Sequence, residues 1–126
     1  MKVIIISGSE KDAWHIAKIK AKLDEFRIPS ETYYASAHKQ PTKVLEILEK
    51  YKAEKTICIT VAGMSNALSG FVAANSFFIT IACPPFRDSQ EMQLNIQSTL
   101  QMPSNVPVLT ILNPANCALA VQRILA

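Results

Sequence analysis

Glycine is scarce in this chain, with three residues in 126. Neither a G-x-G-x-x-G turn nor a P-loop ending in Gly-Lys-Ser/Thr is present, which removes the dinucleotide and triphosphate fingerprints. Cysteine is equally sparse. Cys58, Cys83 and Cys117 are too few and too far apart for a disulfide framework, and no Cys-x-x-Cys pair or neighbouring histidine marks a metal site. Reduced thiols are expected. No apolar run approaches a membrane span, and the four apolar residues from Val3 to Ile6 are shorter than the core of a signal peptide. A soluble, cytoplasmic protein with no membrane partner is the expectation. Charged residues are few at 18%, the net charge is only +3, and no basic run or aromatic ladder accompanies it, so nucleic acid is set aside as a partner. A mild positive charge suits anionic small molecules.

What the chain does have is apolar residues, 49% of the total, in a length that fits one domain spanning residues 1–126. Val3 to Ile6 is a continuous β-branched run that stops at Ser7, as a strand buried on both faces does. From Asp12, the residues Ile16, Ile19, Leu23 and Phe26 recur at helical spacing. Pro29 closes that helix, and Glu31 to Ala35 reads as a second strand. Pro41 opens a helix marked by Val44, Leu45, Leu48 and Tyr51. Thr56 to Val61 is a third, buried strand.

The alternation then continues. A short helix is expected from about Asn66 to Asn75, a strand from Phe77 to Ala82, a helix from Gln90 to Leu100, a strand from Val106 to Leu112 and a last helix from Ala115 to Leu125. Strands alternating with helices imply an α/β fold, a parallel sheet with helices on both faces. The expected architecture is a three-layer αβα, flavodoxin-like sheet of five strands in the order 2-1-3-4-5.

Ligands of such sheets bind outside the carboxyl ends of the strands, where the strand order reverses. Three polar loops fall there: Ser7 to Asp12, Ser36 to Pro41, and Ala62 to Asn66. Gly8 and Gly63 each follow a strand, where the chain must turn sharply or admit a ligand to the backbone. Ser9, Lys11 and the start of the first helix fit a single phosphate, and they fit equally a serine-capped helix followed by a solvated lysine. His38 lies in a loop among small and basic residues, where an imidazole can take and return a proton near neutral pH. His15 reads as exposed and without a task, Trp14 as core or interface, and Gly70 as a packing position on the sheet. Met64, Met92 and Met102 read as packing residues, Cys58 as an inert core thiol, and Cys83 as a thiol with nothing nearby to lower its pKa.

The segments SGSEKD at Ser7 to Asp12, SAHKQP at Ser36 to Pro41, AGMSNALSG at Ala62 to Gly70, ACPP at Ala82 to Pro85 and QMPSNVPV at Gln101 to Val108 carry a resemblance. In order and spacing they resemble the phosphoribosylaminoimidazole carboxylase and N5-carboxyaminoimidazole ribonucleotide mutase family. The Ser-Ala-His-Lys and Ser-Asn-Ala-Leu-Ser-Gly segments look like its second class, which joins aminoimidazole ribonucleotide (AIR) to carbon dioxide directly and gives 4-carboxy-5-aminoimidazole ribonucleotide (CAIR). The resemblance implies His38 as the catalytic residue and no cofactor. It implies that Ser9 meets the phosphate, Asp12 the ribose, Lys39 the phosphate, and Ser36 and Ala37 the imidazole. Gly63, Ser65 and Asn66 would close on the base and carbon dioxide, and Ser7, Gly8, Lys11, Met64 and Leu68 complete the implied substrate set. Departures stand at Lys11, where serine is common, at Met64 and Gln101, where the second class has arginine, and at Asn105, where glycine is usual. Lys11 is expected to replace the charge absent at Met64. The family also implies a homo-octamer. Two alternatives accompany the carboxylase reading: the mutase reaction, and a nucleotide-binding relative without catalysis.

Overall fold

The computed structural model describes residues 1–126. Strand β1 (Lys2–Ser7) sends Val3 and Ile5 to one face of the sheet and Ile4 and Ile6 to the other, all of them buried. Alternation of that kind places a layer of helices on each side. Helix α1 (Ala13–Glu25) and helix α6 (Pro114–Leu125) cover the first face, where Ile16, Ile19, Leu23 and Val121 meet Ile57, Ile59 and Val61 of β3 (Thr56–Val61). Helix α2 (Pro41–Tyr51) and helix α3 (Leu68–Ala74) cover the second, where Val44, Leu48, Leu68 and Val72 meet Ile4, Ile6 and Cys58.

Strands β2 (Glu31–Tyr34), β4 (Ile79–Ala82) and β5 (Leu109–Thr110) complete a parallel sheet of order β2-β1-β3-β4-β5, which is the flavodoxin-like arrangement. The strand order reverses between β1 and β3. The carboxyl ends of β1, β2 and β3 therefore deliver their loops to one place.

Several sequence expectations change. The fifth strand is two residues long instead of seven: Pro107 has no N–H to offer β4, Leu109 and Thr110 pair with Ile81 and Ala82, and the Ile111 amide adds one last bond to the Ala82 carbonyl at 3.0 Å. The fourth strand starts at Ile79, leaving Phe77 fully exposed. The helix expected from Gln90 to Leu100 is two, α4 (Ser89–Asn95) and α5 (Gln97–Leu100). At the junction the Ser98 hydroxyl lies 3.0 Å from the Asn95 carbonyl and so competes for an acceptor of the helical ladder.

Gly70 packs against Met102 instead of the sheet, since a Cβ there would meet the Met102 sulfur at 3.1 Å. Asn105 adopts φ 69°, in the left-handed region that asparagine tolerates better than most residues. That conformation accounts for the glycine usual in the resembling family.

Candidate active site

The first loop leaves β1 fastened by its own hydrogen bonds. The Gly8 amide donates to the Val61 carbonyl at 3.0 Å, which extends the β1 to β3 ladder one residue beyond the strand. The Ser7 hydroxyl donates to the Ser9 carbonyl at 2.8 Å, and the Ser9 hydroxyl accepts from the Lys11 amide at 3.1 Å. Ser9 thus caps a short 3-10 turn, Glu10–Asp12, that leads into α1. A Ser9 oxygen engaged as acceptor keeps its O–H free to donate.

The second loop is closed by Ser36. Its hydroxyl accepts from the Lys39 amide at 3.1 Å, and its carbonyl accepts from the Gln40 amide at 2.8 Å. Because the Ala35 amide is held by the Ser7 carbonyl at 2.8 Å, the turn carrying His38 is fastened to the end of β1. The third loop is braced from beneath by α5. The Asn66 amide donates to the Ser98 hydroxyl at 2.9 Å, the Asn66 side chain donates to the Thr99 hydroxyl at 3.0 Å, and its oxygen accepts from the Leu68 and Ser69 amides at 3.1 and 3.4 Å.

These loops enclose a crevice of about 690 Å³. Of the residues singled out in the sequence, Gly8, Ser9, Lys11, Asp12, Ser36, Ala37, His38, Lys39, Gly63, Met64, Ser65 and Leu68 line it. Ser7 and Asn66 do not; both are buried and their polar atoms are occupied in shaping the loops. Removal of the Asn66 amide leaves Thr99 and two helix amides without partners. Asn66→Ala is expected to lower stability by about 1–3 kcal/mol, read as a drop in the urea midpoint at constant slope.

Other expectations about this region are corrected. Neither Gly8 nor Gly63 has a positive φ, and a Cβ at either would meet its nearest neighbour at 3.6 Å, an ordinary contact. No sharp turn requires them, and their bare backbone instead widens the crevice. Met64 is not a packing residue: it is 76% exposed and sits at φ 52°, with its carbonyl 3.1 Å from the Ser98 hydroxyl, whose one hydrogen is shared between this carbonyl and that of Asn95. Trp14 is 37% exposed and borders the crevice from the start of α1.

His15 is the largest reversal. It is 4% exposed, and its Nε2 lies 2.9 Å from the Cys83 carbonyl and 3.5 Å from the Cys83 sulfur. Its position four residues before Ile19 puts it at the flank of the buried stripe, and the carbonyl just past β4 supplies the partner that lets a polar ring stay there. Cys83 changes with it. The adjacent Cys117 thiol donates toward its sulfur and, with the His15 ring nearby, pulls its pKa down to about 6 against the opposing effect of burial, while Cys117 is pushed up. Burial alone raises Cys58, as expected of a core thiol.

Two charged residues of the crevice had no motif to announce them. Arg87 and Glu91 reach it from beyond the β4 outlet, beside Pro85. The only sequence signal is position: Arg87 follows the Pro84-Pro85 turn at the same sheet edge as the other loops. Asp12 feels them. Burial raises its carboxyl pKa most, the His15 and Arg87 charges oppose that rise, and Glu91 adds to it. Lys11, Lys39 and Arg87 against Asp12 and Glu91 leave the crevice with a positive excess, suited to an anionic ligand.

The chain is thus a flavodoxin-like α/β protein with a cationic crevice at the reversal of its strand order and an imidazole on one rim. The sequence profile described as AIR carboxylase matches residues 2–126, and the chain belongs to that family. It is 47% identical over 126 residues to a phosphoribosylaminoimidazole carboxylase of Archaeoglobus fulgidus, covering 100% of this chain and 69% of the relative. A relative of the same name from Treponema denticola is 43% identical over 124 residues, covering 97% of this chain and 77% of that one. The crystal structure of Treponema denticola PurE superposes with a TM-score of 0.91 at 43% identity, over 97% of this chain and 78% of that chain. No helix of the present chain is long and apolar enough to cross a membrane.

Proposed function

We propose that this chain acts in purine biosynthesis by joining carbon dioxide to ring carbon four of 5-aminoimidazole ribonucleotide, with His38 moving the proton. The observation that carries the reading is the convergence of His38 with Ser9, Lys11 and Lys39 on one crevice at the reversal of strand order. The names borne by the relatives agree with it.

The chemistry asks little else of the protein. The exocyclic amino group pushes electron density to ring carbon four, which forms a bond to the carbon of carbon dioxide while one C=O pair moves onto oxygen. The ring then returns to aromaticity by giving its C4 proton to the His38 imidazole, and the imidazolium passes that proton to water. In reverse, His38 protonates the ring carbon and the carboxylate departs as carbon dioxide. Holding both reactants in place supplies much of the remaining acceleration.

The test is a spectrophotometric assay of the chain with the aminoimidazole ribonucleotide plus bicarbonate as a source of carbon dioxide, against N5-carboxyaminoimidazole ribonucleotide alone. Turnover only of the first pair supports the carboxylase. Turnover only of the second assigns the mutase reaction, and binding without turnover of either assigns a catalytically silent relative.

Lys11 and Arg87 are the cations expected to compensate for the apolar Met64. Neither forms an ion pair with a carboxylate of the protein; the salt bridges are Lys22 to Glu25 and Lys52 to Glu49. Lys11→Ala and Arg87→Ala are each expected to raise KM for the ribonucleotide about tenfold with kcat nearly unchanged, the loss of one hydrogen bond to a charged group. A KM equal to that of the unsubstituted chain in both would place the phosphate elsewhere, with Lys39 the remaining cation. Assembly into an octamer belongs to the same reading, and the exposed Phe77, Ile79 and Leu109 beside the short β5 edge offer apolar surface for it.

A further inference from the structure

One part of the crevice lining is the turn before α1, with Lys11 and Asp12; another is the β4 outlet, with Pro85 and Arg87. The outlet has an uncommon weakness. Pro84 and Pro85 carry no N–H, so between Cys83 and Phe86 the main chain offers carbonyl acceptors and no donor with which to anchor itself. The Cys83 amide is taken by the Thr60 carbonyl at 2.9 Å, the last ladder bond of the strand, and no main-chain donor reaches the Cys83 carbonyl.

One side chain reaches it. His15 stands three residues after Asp12, on the same side of α1, and its Nε2 lies 2.9 Å from that carbonyl with the ring 4% exposed. A carbonyl can only accept, so the hydrogen is on Nε2 and the ring donates. The same nitrogen lies 3.5 Å from the Cys83 sulfur, which places the outlet residue by two of its atoms. Beyond this contact the outlet leads directly to Pro85, whose carbonyl would lie 3.6 Å from a Cβ on Gly63, and then to Arg87.

We propose that His15 is a positioning residue, whose bond to the Cys83 carbonyl ties the α1 wall of the crevice to the β4 outlet and holds Pro85 and Arg87 at a fixed span from Lys11 and Asp12. His15 touches no substrate in this arrangement. It acts through the outlet it holds, and its effect on turnover rests on the functional reading given above. A buried donor withdrawn from such a site leaves the carbonyl without a partner, and the outlet is then free to move outward to water.

The experiment compares His15→Leu with His15→Gln, since the Gln amide nitrogen can stand near Nε2 and donate to the same carbonyl. Hydrogen exchange of the substrate-free chain is read first. In His15→Leu the amides of Lys11 to Ala13 and of Phe86 to Asp88 are expected to exchange at least tenfold faster, with the β1 and β3 amides unchanged, and His15→Gln is expected to restore protection to within threefold. Kinetics follow: KM for the ribonucleotide rises about tenfold or more in His15→Leu, kcat falls less, and His15→Gln recovers most of the loss.

Uniform acceleration of exchange over the whole sheet, with KM unaltered in the molecules that remain folded, would assign His15 a general stabilising role and overturn the proposal. Equal defects in the Leu and Gln variants would overturn it as well, because the donated hydrogen bond would then not be the agent. The exchange measurement uses no substrate. A failure of the unsubstituted chain to turn over the ribonucleotide therefore counts against the functional reading alone, while the exchange pattern still decides for or against the tie.

Discussion

His38→Asn is expected to lower kcat by about 10²- to 10⁴-fold while leaving the affinity for the ribonucleotide within a few-fold of its original value. Asparagine keeps a hydrogen-bonding tip but cannot carry a proton as an imidazole does, so under the proposed function it removes proton transfer and little else. The geometry supports that separation. His38 lies on the exposed turn of the second loop, facing the crevice, whereas the turn itself is held by Ser36 and by the end of β1. Its loss should therefore leave the walls intact. Single-turnover rates and direct calorimetric binding of the ribonucleotide check the split. Full-rate turnover by the variant would dispose of His38 as the proton carrier.

A second large effect is expected in the core. Ile59 is fully buried on β3, the strand flanked by β1 and β4, and it packs in the layer beneath α1 and α6. Ile59→Ala removes methylene and methyl groups from a site whose neighbours belong to separate elements and relax only partly, so the cost is about 2–5 kcal/mol. Urea unfolding should show it as a lower midpoint with an unchanged slope. A midpoint within error of the original would mean that α1 and α6 collapse onto the gap, and that this layer is less tightly packed than the complete burial of Ile57, Ile59 and Val61 implies.

Much of the fold was legible before any coordinates. The runs Val3 to Ile6 and Thr56 to Val61 are β-branched and bounded by turn residues, and both strands stand where that pattern puts them. The α1 stripe is likewise carried by local spacing, whereas in α2 Leu45, expected on the apolar face, is 43% exposed and Ile47 is buried in its stead, because the adjacent position turns away from the sheet. The β5 edge was harder. Its apolar residues from Val106 to Leu112 look like a strand, but Pro107 withholds a donor and the pairing with β4 lasts only two residues. Local pattern reports what a segment prefers, and a ladder depends on what its neighbour supplies.

The candidate site divides along the same line. Its three loops could be placed from the chain alone, because residues that follow strands in a parallel sheet must emerge at one edge. Side-chain direction could not. Ser7 and Asn66 belong to the right segments, yet their hydrogen bonds turn them into the frame of the loops. Arg87 and Glu91 carry no motif, and His15 looked like one more polar residue on a lysine-bearing helix.

Composition, the alternation of strand and helix patterns, and the small polar loops were enough to establish the class of sheet, the edge at which the three loops emerge, and His38 as the imidazole on it. Contacts between residues far apart in the chain settled the rest: that His15 is buried against Cys83, 68 positions away, that α5 braces the third loop, and that the β4 outlet contributes a wall. The reason is the range of the forces involved. Periodicity and turn chemistry act over a few residues, whereas the partner of a buried polar group is chosen only when the sheet brings distant segments together.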